Sequence, residues 1–269
     1  MSQDEVSYAN TRDSQFVDDV RSLHEAGTSR VSIQALNQRF LLPKVSVVIP
    51  TLNEALNLPF VLPKIPNWVH EVIIVDGRSC DDTIEVATRL RSDVKIVLEC
   101  QKGKGAALRA GFKVATGDII VIIDADGSMN PDEIILLVGA LLSGADFVKG
   151  SRFVEGGGSH DLSLYRSIGN WALTIITRML YRCRFSDLCY GYLGFWTRLL
   201  PQLDSDAAGF EIESLLCARA LHHRFKIAEV PSFESERVHG KSNLRALPDG
   251  WRVLTTLVAE RLANRGLNV

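Results

Sequence analysis

Short, uninterrupted runs of apolar residues recur after Pro43, and helical patterns separate them. We read four of these runs as strands: Val45–Ile49, Val72–Val75, Val94–Leu98 and Ile119–Ile123. The continuous β-branched run Ile119–Ile123 is typical of a strand buried on both faces, as in a parallel sheet. The alternation of strand and helix therefore predicts an α/β fold, with a mainly parallel, twisted sheet flanked by helices in a single domain.

The second half of the chain continues this pattern less regularly. It predicts two more strands, Asp146–Gly150 and Ile227–Pro231. Helices are predicted to begin near Asp81, Lys104, Asn130, Trp171, Gly209 and Pro248. In the helix that starts at Trp171, we expect Leu173, Ile176 and Leu180 to form the core-facing side.

The pattern divides the chain into three parts. Residues 1–42 hold only short amphipathic pieces, which we interpret as a partly helical N-terminal extension. Residues 43–245 form the predicted domain. Residues 246–269 hold the predicted terminal helix from Pro248 to Arg265, whose apolar face is expected to pack on the domain or a partner. Binding at a membrane interface is the alternative. That face consists of Trp251, Leu254, Val258 and Leu262.

Composition narrows the range of functions. The chain has 269 residues, of which 46% are hydrophobic and 23% charged, as in ordinary globular proteins. The net charge of −2 gives no overall basic field for nucleic acid. The five cysteines are scattered without a Cys-x-x-Cys motif, which argues against disulfides or a zinc site. Without a signal-peptide core or a membrane-spanning run, we expect a cytoplasmic protein that at most lies on the membrane face.

Acidic residues follow three of the predicted strands. Thr51 and Glu54 come after the first strand, Asp76 ends the second, and Asp124 and Asp126 end the fourth. In open α/β sheets the carboxyl ends of the strands form the ligand-binding edge. Two adjacent carboxylates repel each other unless a cation lies between them, and oxygen ligands suit Mg²⁺ or Mn²⁺ shared with phosphate. Turns and helix caps are the alternative interpretation of the same residues.

Two basic stretches could hold phosphate. Lys102-Gly103-Lys104-Gly105 opens a helix, and a helix N-terminus with lysine favours anions. Arg237 to Asn243 combines basic, glycine and hydroxyl residues. Solvated loops are the alternative for both stretches. The first strand is followed neither by a dinucleotide-binding glycine pattern nor by a P-loop.

Taken together and in this order, six segments resemble family-2 glycosyltransferases of GT-A fold, in the dolichol-phosphate mannose synthase-like, polyprenyl-phosphate branch. The resemblance covers about residues 44–245, and Asp124-Ala125-Asp126 matches the D-x-D motif of that family. The segments are Val48–Glu54, Val75–Thr83, Gly103–Gly105, Asp124–Asp126, Gly150–Phe153 and Arg237–Ser242.

The resemblance implies a metal-dependent glycosyltransferase that uses a GDP- or UDP-sugar and Mg²⁺ or Mn²⁺, and that usually inverts the anomeric centre. Asp126 matches the direct metal ligand, and Asp124 lies beside the metal and lines the sugar-nucleotide site. Residues matching the nucleotide-sugar site are Pro50, Thr51, Glu54, Asp76, Lys104 and Ala125. Residues matching the basic contacts to diphosphate or acceptor phosphate are Arg152, Arg237 and Lys241.

The sequence departs from the family pattern at three places. Ser128, a poorer metal ligand, stands where the family often has Gln. Asp76-Gly77-Arg78-Ser79 lacks one acid of the usual Asp-Asp-Gly-Ser. Asp187 to Gly191 keeps only the first Asp and the Gly of an Asp-x-x-Ser-Gly pattern.

The acceptor separates the hypotheses. A polyprenyl phosphate is already an anion and needs little general base, whereas a hydroxyl acceptor on a small molecule needs a carboxylate. Asp187 is the first candidate for that base, followed by Glu211 and Glu213, and caps or turns are the alternative for each. A non-catalytic sugar-nucleotide-binding protein and a nucleotidyltransferase are the other readings, and a homo-oligomer is compatible with all of them.

Overall fold

The computed structural model describes residues 42–241 and 244–263. The predicted N-terminal extension lies outside the described residues, apart from Leu42, and so do Ser242, Asn243 and residues 264–269.

A seven-stranded sheet forms the centre of the described domain. Its order is β3-β2-β1-β4-β7-β5-β8. Six strands run in one direction, and β7 alone runs antiparallel to both of its neighbours. The predicted mainly parallel α/β sheet is therefore confirmed. The strands are β1 Val45–Thr51, β2 Glu71–Asp76, β3 Lys95–Leu98, β4 Ile119–Ile122, β5 Phe147–Ser151, β7 Leu193–Trp196 and β8 Ile227–Pro231, and a separate pair is β6 Gly158–Ser159 with β9 Phe233–Glu234.

Helices cover both faces of this sheet. They are α1 Leu58–Val61, α2 Thr83–Leu90, α3 Lys104–Val114, α4 Ile134–Leu142, α5 Leu164–Tyr181, α6 Leu200–Leu203, α7 Glu211–His222 and α8 Ala246–Ala263. Successive strand residues point to opposite faces. Val47 therefore joins the core under α4, whereas Val48 joins the core under α3 and α7. Burial on both faces is confirmed for β4 and also holds for most of β1 and β2, whereas β3 at the sheet edge is only half-buried.

Strand β7 was not predicted. It has only four residues, and Gly194 in its middle leaves too short an apolar run to distinguish a strand from a loop. Its position is set by tertiary contacts, because it pairs with β4 on one side and β5 on the other. A Cβ atom at Gly194 would lie 3.4 Å from Leu137 of α4, so the glycine lets the helix pack closely against the strand.

Local signals placed the start of α4 correctly. The Asn130 side chain accepts a hydrogen bond from the Asp132 amide at 3.1 Å, and Pro131 begins a short 3₁₀ turn that leads into the helix. Helix α5 is longer than predicted, because it begins at Leu164 rather than Trp171. Ser163 caps it by accepting from the Arg166 amide.

The predicted core-facing side of α5 is only half-buried, and the predicted apolar face of α8 does not pack on the domain. None of Leu173, Ile176 and Leu180 is fully buried in α5, although Leu173 packs partly against the core. In α8 the buried residues are Asp249, Val253 and Leu257. The predicted α8 face turns outward instead, since Trp251 is 68% exposed and Leu262 is 57% exposed.

Candidate active site

The carboxyl ends of β1 and β2 lie side by side. Thr51 and Asp76 are paired in the sheet register, and the Thr51 hydroxyl donates to Asp76 Oδ1 at 3.3 Å. Asp76 also accepts from the Ser79 amide at 2.9 Å and the Ser79 hydroxyl at 2.5 Å. The predicted meeting of these strand ends is therefore observed. Asp76 is buried and shapes the turn that follows β2, and Pro50 lies half-buried beside it in β1.

Asp124, just beyond β4, is held by Lys104. The Lys104 ammonium lies 2.5 Å from Asp124 Oδ1 and 2.6 Å from Glu213 Oε1, so one cation joins the sheet edge to the start of α7. Glu213 packs so closely on Gly191 that a Cβ atom there would lie 2.2 Å from its Oε1. From the sequence, Lys104 and Asp124 are expected at the sugar-nucleotide site, and Glu213 is only the third candidate for a general base.

The protonation of this group follows from its burial and charge. Burial raises the pKa of Asp124, the negative charges of Glu213 and Asp126 raise it further, and Lys104 opposes the shift without cancelling it. Burial alone would lower the pKa of Lys104, but attraction to Asp124 and Glu213 outweighs it, so the pKa is raised. Lys104 is therefore a permanent cation among crowded carboxylates.

Asp126 is held by Arg237. The guanidinium donates through Nη1 to Asp126 Oδ2 at 3.1 Å and through Nη2 to Glu54. Arg237 thereby bridges the ends of β1 and β4. Glu54 in turn accepts from the Asn57 side chain at 2.6 Å. The Asn57 side chain also accepts a hydrogen bond from the His239 amide at 2.9 Å. This contact anchors the loop that carries Arg237. Neither Asn57 nor its neighbours carried a motif that could have identified this role from sequence.

The loop that carries Arg237 is joined to the D-x-D turn by its backbone. The Ser235 amide donates to the Ser128 carbonyl at 2.8 Å, and the Val238 amide donates to the Asp126 carbonyl at 3.3 Å. Gly127 has a φ of +82°, and a Cβ atom there would lie 2.9 Å from Val238. Ala125 is buried in the core, and Lys241 is exposed at the end of the loop.

Arg152 and Asp187 form a separate buried network. Arg152 donates to Asp187 through Nε at 2.7 Å and through Nη2 at 2.9 Å, and through Nη1 to Glu234 at 2.9 Å. Asp187 also accepts from the Asn170 side chain at 3.0 Å and is fully buried. This geometry does not favour Asp187 as a general base, since both of its oxygens are engaged. Each guanidinium nitrogen of Arg152 likewise donates to a carboxylate.

The two glycines at the start of α3, Gly103 and Gly105, allow a loop to pack closely against the helix. The Ala208 carbonyl accepts from the Gly105 amide at 2.8 Å and the Ala106 amide at 3.3 Å. A Cβ atom at Gly103 would lie 2.1 Å from the Ala208 oxygen, and one at Gly105 would lie 2.3 Å from the Ala207 oxygen. The amides at the helix N-terminus therefore hold a protein carbonyl here. Of the helix amides and the lysine expected to bind an anion here, only the Lys104 side chain is left to do so.

Glu211 and Glu213 at the start of α7 differ from Asp187. Glu211 Oε2 and Glu213 Oε1 are buried without a hydrogen-bond partner. The Glu213 atom still contacts Lys104 closely, whereas Glu211 Oε2 has only Arg252 of α8 at 3.7 Å. Glu211 is therefore a buried carboxylate with unused acceptor capacity at the start of α7.

A divalent metal fits the donors at this edge. Asp124 and Asp126 supply the hard oxygens that Mg²⁺ and Mn²⁺ prefer. Within residues 42–241 and 244–263, no cluster of three or more His, Cys, Asp or Glu side chains makes a complete metal site. Four carboxylates nevertheless face two cations, an excess of two formal negative charges that suits a divalent ion whose shell is completed by phosphate and water. The carboxylates belong to Glu54, Asp124, Asp126 and Glu213, and the cations to Lys104 and Arg237.

Two known proteins resemble this chain in sequence over about three quarters of its length. Polyprenol monophosphomannose synthase of Mycolicibacterium smegmatis is 32% identical over 211 residues, which cover 74% of this chain and 80% of that protein. Dolichol-phosphate mannosyltransferase of Pyrococcus furiosus is 32% identical over 211 residues and 75% of this chain, but the chain spans only 59% of that protein's length.

A solved structure extends the similarity to the whole domain. Glucosyl-3-phosphoglycerate synthase from Mycobacterium tuberculosis, in complex with Mn²⁺, UDP and glucosyl-3-phosphoglycerate, has a TM-score of 0.66 and 25% identity. The comparison covers 87% of this chain and 85% of the other. The predicted GT-A fold is therefore confirmed. Residues 46–199, more than half of the chain, match the profile of glycosyl transferase family 2. By sequence and by fold, this chain belongs to glycosyl transferase family 2.

Proposed function

We propose that the protein transfers a sugar from a nucleoside diphosphate sugar to a phosphate-bearing acceptor, with the help of Mg²⁺ or Mn²⁺. The observation that carries this proposal is the pairing of Asp124 with Lys104 and of Asp126 with Arg237 at one edge of the sheet. Each carboxylate that would hold a metal lies beside a cation that would hold a diphosphate. The two kinds of charge needed by a metal–diphosphate group are thus already adjacent.

In this proposal, Asp126 and Asp124 hold the metal, and Lys104 and Arg237 contact the diphosphate. When bound, the metal supplies Lewis-acid stabilisation of the leaving diphosphate. Lys104 and Arg237 would exchange part of their contact with carboxylates for contact with phosphate oxygens. Thr51 and Asp76 lie at the neighbouring strand ends, which makes them our candidates for the nucleoside, with Pro50 and Glu54 beside them.

The need for a base depends on the acceptor. A phosphate acceptor is ionised at neutral pH and can attack without losing a proton to the protein. For a hydroxyl acceptor, Glu211 replaces Asp187 as our first candidate, because Glu211 Oε2 is buried without a hydrogen bond whereas Asp187 is saturated by Arg152 and Asn170. Arg152 then serves to hold the loop after β5 rather than to contact the donor.

Two acceptors are supported by the relatives. The M. smegmatis protein is named a polyprenol monophosphomannose synthase and the P. furiosus protein a dolichol-phosphate mannosyltransferase. Both names support a polyprenyl phosphate as acceptor. The M. tuberculosis structure holds a glucosylated phosphoglycerate, which supports a small phosphorylated acceptor as the second candidate. Both acceptors carry the phosphate that the basic loops would recognise.

Donor binding tests the proposal first. We would measure thermal unfolding with GDP- and UDP-sugars, with and without Mn²⁺, because a ligand that binds only the folded state raises its apparent stability. We expect one nucleotide class to raise the midpoint, and Mn²⁺ to enlarge the shift. When the same ligands are added to the Asp126→Asn variant, Mn²⁺ should no longer enlarge the shift of the unfolding midpoint.

Product formation then separates the alternatives. The preferred donor would be incubated with Mn²⁺ and either a polyprenyl phosphate or 3-phosphoglycerate, and the product analysed by mass spectrometry. Transfer to the lipid supports the first acceptor, and transfer to phosphoglycerate supports the second. Donor binding without hydrolysis or transfer to any acceptor would instead identify a non-catalytic sugar-nucleotide-binding protein.

A further inference from the structure

Helix α5 is inverted relative to an ordinary surface helix. Its buried side is polar and consists of Asn170, Thr174 and Thr177, which lie on one face of the helix. Its outward side is apolar: Leu164 is 79% exposed, Trp171 is 64% exposed, and Ile168 and Met179 lie on the same stripe with 57% and 67%. A helix between core and water normally shows the opposite arrangement. The outward stripe therefore calls for a covering surface.

The inward polar residues have partners that explain them. Asn170 donates to Asp187 at 3.0 Å and accepts from the Cys189 amide at 3.0 Å. Thr174 accepts from the Leu188 amide at 3.2 Å. The polar side of α5 thus binds the Asp187 carboxylate and two backbone amides in the segment that follows the helix. No corresponding reason exists within the described domain for the apolar side.

Helix α8 lies beside α5 and adds to the same surface. The Tyr181 hydroxyl at the end of α5 donates to the Leu257 carbonyl of α8 at 2.9 Å, and both helices pack on the same side of the sheet. Helix α8 also exposes apolar residues at helical spacing, since Leu247 is 73% exposed, Trp251 68% and Leu262 57%. Each of the two helices thus carries an exposed tryptophan.

The charged side chains of α5 and of the residues just after it are basic, and Asp161 ahead of the helix is paired with Arg166 at 2.8 Å. No acid occurs between Leu164 and Tyr181, and exposed arginines follow at 178, 182 and 184. Of the two acids in α8, Asp249 is buried and Glu260 is paired with Arg219 at 3.2 Å. A second copy of the chain on this surface would bring like charges together. An anionic partner would instead be attracted, although the whole protein carries a net charge of −2.

We propose that this outer helical face, formed by Leu164, Ile168, Trp171 and Met179 of α5 with Leu247, Trp251 and Leu262 of α8, docks on an anionic lipid surface. Apolar side chains with tryptophan and flanking arginines are the chemistry of helices that lie in the headgroup region of a bilayer. None of the helices in the described ranges has the length and apolar character needed to cross a bilayer. The face therefore lies on the membrane surface.

Docking in this way would bring the candidate active site close to the lipid headgroups. Helix α8 reaches Glu211, the candidate base for a hydroxyl acceptor, through Arg252 at 3.7 Å. Vesicle binding needs neither donor nor metal, so its result is independent of the proposed transfer reaction.

Flotation of the full chain with vesicles tests the apolar part of the proposal. We expect binding to vesicles that contain about one third phosphatidylglycerol, and much weaker binding to pure phosphatidylcholine. The pair Ile168→Gln and Trp171→Gln should lower the partition coefficient at least about tenfold, since both side chains would leave the bilayer. The matched pair Ile135→Gln and Leu142→Gln on α4, at 54% and 50% exposure, should bind like the unmodified protein.

The charge part has its own test. Arg182→Gln with Arg184→Gln should weaken binding to anionic vesicles about thirtyfold, which corresponds to roughly 1 kcal/mol for each of the two charges near the surface. The double substitution should leave the thermal midpoint unchanged. Absence of binding to either vesicle would overturn the proposal, as would binding that neither the α5 pair nor the arginine pair reduces. A dimer in solution that the Ile168 and Trp171 pair dissociates would assign the face to a second copy and also overturn it.

Discussion

Ser128 donates both its backbone amide and its hydroxyl to one oxygen of Asp126, Oδ1, at 3.0 and 2.7 Å. The other oxygen, Oδ2, is left to Arg237 at 3.1 Å. The residue that departs from the family's usual Gln therefore orients the carboxylate expected to bind metal.

Replacing Ser128 should weaken metal binding without abolishing it. Ser128→Ala removes one donor but keeps the backbone amide, and a single hydrogen bond contributes about 0.5–1.5 kcal/mol. We expect Mn²⁺ affinity in the presence of the preferred nucleoside diphosphate to fall about three- to tenfold in calorimetric titration. Ser143→Ala at the exposed end of α4 is the control and should leave the affinity unchanged. Equal affinity of Ser128→Ala would show that the hydroxyl does not orient Asp126.

Asp126→Asn should abolish metal-dependent transfer while the protein stays folded. The amide keeps an oxygen for Ser128 but loses the charge that attracts a hard cation. Transfer activity and circular dichroism would be measured together on this variant and on Asp132→Asn, an exposed acid nearby. Full activity of Asp126→Asn in the presence of EDTA would rule out the metal-dependent mechanism.

Lys104→Met should destabilise the fold strongly. The lysine side chain is only 10% exposed, and its loss leaves Asp124 and Glu213 without their shared cation. Removing one partner of a buried ion pair costs about 3–5 kcal/mol, which urea unfolding would measure. Lys113→Met, exposed on the same helix, should change the stability by less than about 0.5 kcal/mol. Adding Glu213→Gln to Lys104→Met should recover part of the loss, and no recovery would argue against this coupling.

Asp187 should make the stability depend on acid pH. Burial would raise its pKa, but hydrogen bonds and attraction from Arg152 outweigh burial and hold the pKa below its ordinary value. Because the folded pKa is depressed, the stabilisation is present above the unfolded pKa of about 3.9 and is lost as pH falls through the folded value. Asp187→Asn should therefore be less stable at pH 7, and the difference should shrink below about pH 4.

Chemical unfolding of both proteins across this pH range measures the effect. Asp93→Asn is the control, because Asp93 belongs to an exposed ion pair with Arg91 and should give a nearly constant small difference. A difference for Asp187→Asn that does not change with pH would contradict the assignment of a depressed pKa.

Gly105→Ala should perturb the loop that covers the start of α3. Its new Cβ atom would lie 2.3 Å from the Ala207 carbonyl, so loop or helix must shift. We expect a loss of about 1–3 kcal/mol, as for other overpacked sites. Gly139→Ala in the middle of α4 meets no atom within 4 Å and should instead stabilise by about 0.5–1 kcal/mol. If Gly105→Ala also stabilised, the close approach of the loop would be refuted.

Much of the fold follows from local sequence. The β-branched runs of β1, β2 and β4 are buried wherever they pair, because their side chains on both faces are apolar. Asn130 and Pro131 set a helix start through contacts within three residues. The convergence of Thr51, Asp76 and Asp126 on one sheet edge also follows, since parallel strands end on the same side.

Other features depend on contacts between residues far apart in the chain, which no local pattern encodes. Arg237 reaches Glu54 across 183 positions, and Glu234 joins Arg152 across 82. Asp187 looked like an available base until the fold buried it against Arg152. The inverted face of α5 has ordinary helical periodicity in sequence, and only the position of Asp187 and Cys189 decides that its polar side turns inward. The sequence alone thus determined the sheet, the acidic strand ends and the family, whereas tertiary packing determined which charges meet and which apolar stripe is left facing outward.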